Sequence, residues 1–441
     1  MDLPATSGPA RAIAGRLRSL GYQAFLVGGG VRDLLLGHEP KDYDISTDAT
    51  PNQVIELFPA AQLVGAHFGV VLVDGVEVAT FRSDRNYLDG RHPEAVTFET
   101  DPRQDVLRRD FTINALMLDP LAPHSAVIDY TGGVADLESR LVRAIGDPLQ
   151  RFEEDHLRML RAIRFAARFG FAIHPSTLEA MRSLCSKINR IAPERIRDEL
   201  VRILTEGGAR YGFELLDESG LLQEILPEVA AMKGVEQPPE YHPEGDVWIH
   251  TLMMLGRLQA PSPALAMGVL LHDVGKPPTF RLAERIRFDG HVEAGEKMAR
   301  SILDRLRFSN EDSGQIMALI GNHMRFMDVP RMRESTVKRF LRLPRFNEHL
   351  ELHRLDCLSS NGRLETYEYM LGRYRQSPPE ELRPPGLLTG NDLIGAGYRP
   401  GPQFSKMLTA VEDAQLEQRI ATKEAALALV RSTFGDPPGS P

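Results

Sequence analysis

Phe25-Leu26-Val27-Gly28-Gly29-Gly30-Val31-Arg32-Asp33-Leu34-Leu35-Leu36-Gly37 is an apolar strand, a glycine turn and the opening of a helix. Glycines let backbone N–H groups approach a phosphate, a helix N-terminus adds the positive end of its dipole, and an arginine can hold a phosphate oxygen with two donors. Gly28, Gly29 and Arg32 are thus candidate phosphate ligands, although glycines alone more often make a plain structural turn. Lys41-Asp42-Tyr43-Asp44-Ile45, about a dozen residues on, tips the balance. In a strand, carboxylates at i and i+2 share a face, where they repel unless a cation lies between them. Such a pair suits Mg²⁺, which takes carboxylates together with substrate phosphates, and paired ions clamp the attacking and leaving oxygens of phosphoryl transfer. Asp42 and Asp44 are therefore the candidate catalytic metal ligands. Glu77 alternates with Val76 and Val78 in the run Val76 to Phe81, faces away from their core side, and is the candidate third carboxylate.

Outward from this stretch, Ala24 to Val27, Asp42 to Ser46, Val70 to Val73, Val76 to Phe81 and Ala126 to Asp129 predict short strands among helices. Arg82 to Pro93, with Asp84, Arg85, Asp89, Gly90 and Arg91, predicts a polar mobile loop. After Gly146-Asp147-Pro148 strand signals nearly vanish, and helical spacing runs through Glu153 to Phe169, Ser176 to Ile188 and Glu194 to Leu204. Further breaks at Gln237-Pro238-Pro239 and Pro378-Pro379 set expected divisions at 1–145, 146–236, 237–377 and 378–441.

Gly28-Gly29-x-Val31-Arg32-Asp33 followed by Asp42-x-Asp44 resembles the head domain of class II tRNA nucleotidyltransferases and the closely similar bacterial poly(A) polymerases. Arg108-Arg109-Asp110-Phe111-Thr112-Ile113-Asn114-Ala115 resembles the family's second motif and Asp129-x-x-Gly132-Gly133-x-x-Asp136-Leu137 its third. Glu154-Asp155-x-x-Arg158-x-x-Arg161-Ala162-x-Arg164-Phe165 resembles the fourth, and Pro193-Glu194-Arg195-Ile196-x-x-Glu199-Leu200 the fifth. The resemblance implies an α+β architecture: a polymerase-β-like nucleotidyltransferase head with a mixed sheet, then all-α neck, body, HD and tail segments. It implies that Asp155 and Arg158 read the Watson–Crick edge of CTP or ATP with Glu154 orienting them, and that Arg109, Asp110 and Asn114 hold the triphosphate and ribose. On a predicted helix Asp155 and Arg158 lie about 60° apart, close enough to act together or to form an ordinary ion pair. Arg161, Arg164 and Arg168 form a basic stripe on the same helix, fit for RNA phosphate or for plain solvation. The family's counterpart of the Arg82 to Pro93 loop governs the step from C to A addition.

A second constellation follows the Pro238-Pro239 break. His250, His272-Asp273, His291, His323 and Asp356 combine imidazoles, which suit transition metals, with carboxylates able to bridge two ions. Leu270-Leu271-His272-Asp273-Val274-Gly275-Lys276 resembles the HD phosphohydrolase signature, and His291 and His323 match its two-metal versions. That resemblance implies phosphoester hydrolysis by a metal-activated water, with Asp273 bridging and Lys276 near the phosphate; a decayed HD fold kept for RNA binding is the alternative.

Composition narrows the field. With 61 acidic and 52 basic residues the net charge is −9, so nucleic acid must meet a local basic patch, for which the arginines of 151–168 and 331–345 are candidates. The apolar run Ala264 to Leu271 is far too short to span a bilayer, and Met1 to Gly15 lacks a secretory pattern. Two isolated cysteines, Cys185 and Cys357, exclude a disulfide framework and are expected as buried filler. The expected protein is a cytoplasmic, template-independent RNA nucleotidyltransferase adding CMP and AMP (CCA) to tRNA 3′ ends. Its partners are tRNA, CTP and ATP, with no DNA and no membrane, Mg²⁺ in the head and a transition metal or Mg²⁺ in the HD site. An enzyme adding only the terminal A and a poly(A) polymerase are the rivals within the class. From another class, the rival is an HD phosphohydrolase whose head merely binds nucleotide or RNA. Residues after about 360 carry no motif, and by resemblance that tail holds the tRNA elbow.

Overall fold

The computed structural model describes residues 3–64, 69–87, 93–122 and 126–437. Its first compact unit comprises Met1–Ala231 with Leu258–Ala266 and Ile302–Phe308; the second comprises Met232–Arg257, Met267–Ser301 and Ser309–Pro441.

The first unit is built on a mixed seven-stranded sheet in the order Gln62–Leu63, Val70–Val73, Val76–Thr80, Asp44–Thr47, Ala24–Val27, Met117–Leu118 and Val127–Ile128. Asp44–Thr47 runs parallel to Val76–Thr80 and antiparallel to Ala24–Val27, pairing Asp44 with Glu77 on one side and Val27 on the other. Phe25, Val27, Phe81, Val106, Ala115, Met117 and Ile145 bury one apolar cluster against this sheet. At the end of Ala24–Val27, Gly28 takes φ +73°, a conformation open to glycine, and so turns the chain into the helix Gly29–Leu35.

Several expectations shift. The strand predicted from Asp42 begins only at Asp44, leaving Asp42 exposed two residues before it. The predicted loop over 82–93 is instead an antiparallel hairpin, Arg82–Tyr87 against Pro93–Phe98; residues 88–92, with Asp89, Gly90 and Arg91, lie outside the described residues. Backbone pairing there overrides a polar composition. The two-residue strands at 62–63 and 117–118 arise from neighbours too and leave no period to read.

Gly146-Asp147-Pro148 is a break as predicted: the Asp147 carboxylate accepts from Leu149 N at 3.0 Å and caps the helix Pro148–Glu154. The single helix expected over 153–169 is two, Pro148–Glu154 and Leu157–Phe169, parted by Asp155 in extended conformation (φ −147°). Pro175–Leu184 and Pro193–Thr205 complete the expected helical run, with a 3-10 turn Cys185–Arg190 ending the first.

The second unit is helical apart from a short hairpin, Arg281–Leu282 with Ile286–Arg287. Its C-terminal helices, Gln403–Leu416 and Lys423–Phe434, bury Leu393, Tyr398, Met407, Val411 and Val430. Arg339 and Arg342, expected in a basic patch, instead pair with Glu412 and Asp413 of Gln403–Leu416, and Arg345 pairs with Glu348. Cys185 and Cys357 are half-buried free thiols rather than core filler. No helix among the described residues is long and apolar enough to cross a membrane.

Candidate nucleotide cleft and metal centre

In the first unit a cleft of about 510 Å³ opens beside the glycine turn. Gly28, Gly29, Arg32 and Asp44 line it from the sheet end, Arg108, Arg109, Asp110 and Asn114 from the following segment, and Asp155, Arg158, Arg161 and Arg164 from the helices beyond. Eight arginines face three aspartates there, which makes a basic groove in a chain of net charge −9. Of the nucleotide-site candidates, only Glu154 stands behind the lining, held through Arg158 at 2.7 Å and Arg151 at 2.8 Å.

Asp44 is the least comfortable carboxylate of the group. Burial and the Glu77 carboxylate, with a smaller push from Asp42, raise it to about 6, and Arg109 only partly opposes them. Glu77, expected as a third metal ligand, thus stands close enough to repel Asp44 and is its register partner. Among the described residues, however, Asp42, Asp44 and Glu77 do not form a set within 4.8 Å of one another, so Glu77 does not complete a preformed site. The donor set is all oxygen and its repulsion calls for a cation, which fits Mg²⁺.

The arginines are organised by acids that sequence spacing did not single out. Asp105, fully buried in the helix Pro102–Leu107, accepts from Arg108 at 2.6 Å and Arg109 at 2.9 Å, and these cations hold its carboxyl low despite burial. Arg109 also donates to Ser46 Oγ at 3.3 Å. Arg32, expected to grip phosphate freely, is nearly buried, donates to Asp33 and to Asn114 Oδ1 at 2.6 Å, and stacks 4.6 Å over Phe169. Asn114 in turn donates to Asp110. Burial would raise Asp110, yet Arg161 at 2.6 Å and the Asn114 amide hold it at about 2.

The expected Asp155–Arg158 pair is replaced by two others, because the helix breaks at Asp155. Arg158 donates to Glu154 and to the carbonyls of Arg151 and Arg108, whereas Asp155 pairs with Arg195 at 3.1 Å. Arg195 lines the cleft and keeps its Nη1 buried without a partner, a donor available to a substrate acceptor. The basic stripe also proves internally paired: Arg164 with Glu199 at 2.7 Å and Arg168 with Asp33 at 3.7 Å. The third motif is structural. Asp129 caps the helix Gly133–Glu138 through four backbone N–H groups, and Asp136 accepts from Thr112 and Arg143.

In the second unit the predicted histidines converge. His250, His272 and Asp273 form one ligand set within 4.8 Å, and Asp273, His291 and His323 another, sharing Asp273. His272, His291 and His323 each donate Nδ1–H to a backbone carbonyl, of Val269, Phe288 and Ile320, at 2.7 to 2.9 Å, which leaves every Nε2 facing inward. The buried Nε2 atoms of His250 and His272 make no well-aligned hydrogen bond, each facing only a carboxylate, and burial keeps His323 neutral at about 4. Asp356 lies 3.2 Å from His250 Nε2, and Lys276 pairs with Asp273 at 2.7 Å. Imidazole-rich sets with a shared carboxylate fit one or two transition metals better than Mg²⁺. Glu244, absent from the sequence reading, is buried and binds Nδ1 of both His250 at 2.7 Å and His242 at 2.9 Å. It lies six residues before His250 in an irregular segment, where no periodic pattern marks it.

The poly A polymerase head domain matches residues 24–143, the probable RNA and SrmB-binding site of polymerase A matches 170–233, and the HD domain matches 247–358. The CC-adding tRNA nucleotidyltransferase of Thermus thermophilus is 35% identical over 435 residues, covering 92% of this chain and 93% of that protein. The CCA-adding enzyme of Levilactobacillus brevis is 43% identical over 235 residues, 52% of this chain and 58% of that protein. Among solved structures, the Bacillus stearothermophilus CCA-adding enzyme in complex with CTP superposes with a TM-score of 0.73 at 25% identity, covering 98% of each chain. Ordered motifs, a basic cleft around Asp44 and similarity over 92% of the chain agree: this chain belongs to the tRNA nucleotidyltransferase and poly(A) polymerase family and carries an HD domain.

Proposed function

We propose that the chain adds CMP and AMP to tRNA 3′ ends in the cytoplasm, using CTP and ATP. The observation that carries this is the basic cleft in which Asp44, raised to about 6 by burial and then by Glu77 and Asp42, stands beside the glycine turn. The segments 1–145, 146–236 and 378–441 then serve as catalytic head, nucleotide- and RNA-binding neck and body, and tRNA-binding tail. Asp42 and Asp44 would hold Mg²⁺, which when bound neutralises charge on the phosphate oxygens. Gly28, Gly29 and Arg109 receive the triphosphate; Asp110, fixed as a carboxylate by Arg161 and Asn114, accepts from the ribose. Asp155 offers acceptors and Arg158 and Arg195 donors to the base edge, with Glu154 holding Arg158 and Asp155 holding Arg195 in place. So held, the terminal ribose hydroxyl attacks the α-phosphate in line, and pyrophosphate leaves.

The test offers tRNA ending at the discriminator base, at C and at CC to the protein with labelled CTP or ATP, with Asp42→Ala/Asp44→Ala alongside. Sequential C and A addition lost in the double variant supports the proposal. The Thermus thermophilus relative, matched over 93% of its length, is named CC-adding, which favours C addition alone as the second reading; failure of the CC-ended substrate to take A would select it. In the second unit, the His and Asp sets support a metal-dependent phosphohydrolase acting on phosphoesters, in which His250, His272, Asp273, His291, His323 and Asp356 would hold the metal.

A further inference from the structure

The HD centre stands at the foot of a short hairpin whose charges are unexplained within the chain. Arg281–Leu282 and Ile286–Arg287 pair antiparallel, placing Arg281 directly opposite Arg287. Like charges at facing positions destabilise a strand pair. Arg281, Arg285 and Arg287 are all exposed, and among the described residues none of them has an ion pair. This contrasts with the arginines of 331–345, whose Arg339, Arg342 and Arg345 are each neutralised by an acid. Glu284, at the hairpin tip, leaves the hairpin 281–287 with three cations against one anion in a chain of net charge −9.

Both feet of the hairpin rest on the metal centre. Lys276, five residues before Arg281, pairs with Asp273 at 2.7 Å and sits 5.4 Å from the Phe288 ring. Phe288 closes the other strand, and its carbonyl accepts from Nδ1 of His291 at 2.9 Å. Phe280 and Phe288 face each other at 6.0 Å, and Phe280 is 40% exposed, an aromatic surface beside the arginines. Unpaired guanidinium groups interleaved with an exposed ring are the chemistry that holds a single strand, phosphates on the cations and a base on the ring.

We infer that the hairpin 280–288 is an RNA-binding arm, which seats a single-stranded RNA end so that its terminal phosphoester enters the HD centre. This rests on reading that centre as a phosphohydrolase and names its substrate class. In the reaction, water gives its oxygen to phosphorus, the P–O bond to the ribose breaks, and the ribose oxygen takes up the proton. The arm contributes affinity for the RNA and nothing to the bond-breaking step.

The full-length protein, supplied with Ni²⁺ or Mn²⁺, is compared with Arg281→Ala/Arg285→Ala/Arg287→Ala on two substrates: a short single-stranded RNA ending in a 2′,3′-cyclic phosphate, and bis(p-nitrophenyl) phosphate. The variant is expected to raise KM for the RNA about tenfold and to lower the salt slope of log KM by about 2, three contacts at roughly 0.7 each. Turnover of the small ester and nucleotide addition to tRNA stay unchanged. Equal losses on both substrates, or an RNA KM and salt slope that do not move, overturn the inference. If the wild type cleaves neither substrate, the hydrolase reading fails, and photocrosslinking of the same RNA carrying 4-thiouridine next to its 3′ end still decides the arm. Crosslinks within 280–288 that vanish in the variant support it, and crosslinks confined to other segments refute it.

Discussion

Replacing Asp44 with Asn should inactivate nucleotide addition while making the metal-free protein more stable. Asp44 is raised from the ordinary 3.8 to about 6 by burial and by Glu77, so its ionised form costs on the order of 3 kcal/mol in the folded chain. Its partial exposure brings the expected effect nearer about 2 kcal/mol. As pH rises through 3.8 the unfolded chain gives up the proton first, and the folded chain follows only near 6. Stability is therefore lost across that window, and the full cost is present at pH 7.5. Thermal melts in EDTA at pH 7.5 should show the first unit of Asp44→Asn melting about 5 °C above wild type, with the gap closing by pH 4. Mg²⁺ should then raise the wild type and leave the variant nearly unmoved. A variant that melts at or below wild type at pH 7.5, or a gap independent of pH, refutes the argument that unneutralised carboxylate repulsion is stored at this position.

Further expectations follow from single contacts. Asp105→Asn leaves Arg108 and Arg109 without their buried anion, and should cost about 3 kcal/mol in urea unfolding and raise KM for CTP. Glu244→Gln should weaken metal binding at the HD centre about tenfold by calorimetry, with tRNA extension intact, because the carboxylate that orients His250 is lost. His250 is raised to about 9, burial being outweighed by Asp356 and Glu244, so metal uptake at pH 7.5 should release a proton, seen as a dependence of binding enthalpy on buffer. Gly28→Ala forces a side chain onto φ +73° and places a methyl 3.4 Å from Arg109 Nη1; a loss of about 1 kcal/mol or more, with raised KM for both nucleotides, is expected. Truncation at Pro378 removes helices whose Glu412 and Asp413 hold Arg339, so tRNA affinity and the thermal midpoint of the second unit should fall together.

The chain's order of chemistry is legible without a structure. A strand, a glycine turn and Asp-x-Asp mark a candidate site for phosphate and metal because glycine geometry and carboxylate repulsion act over a few residues. The histidines and aspartates of the HD centre were readable for the same reason: metal-ligand chemistry restricts residue types so strongly that an ordered set stands out. What one sequence could not reveal is which charges answer one another. Arg32 meets Asn114 from 82 residues away, Arg161 meets Asp110 from 51, and Arg195 meets Asp155 from 40. Helical spacing joined Asp155 to Arg158, but the helix breaks at Asp155 and hands Arg158 to Glu154. Local spacing determines which side chains can share a face. Partners, burial and hence protonation are decided by elements that only the folded sheet and helices bring together.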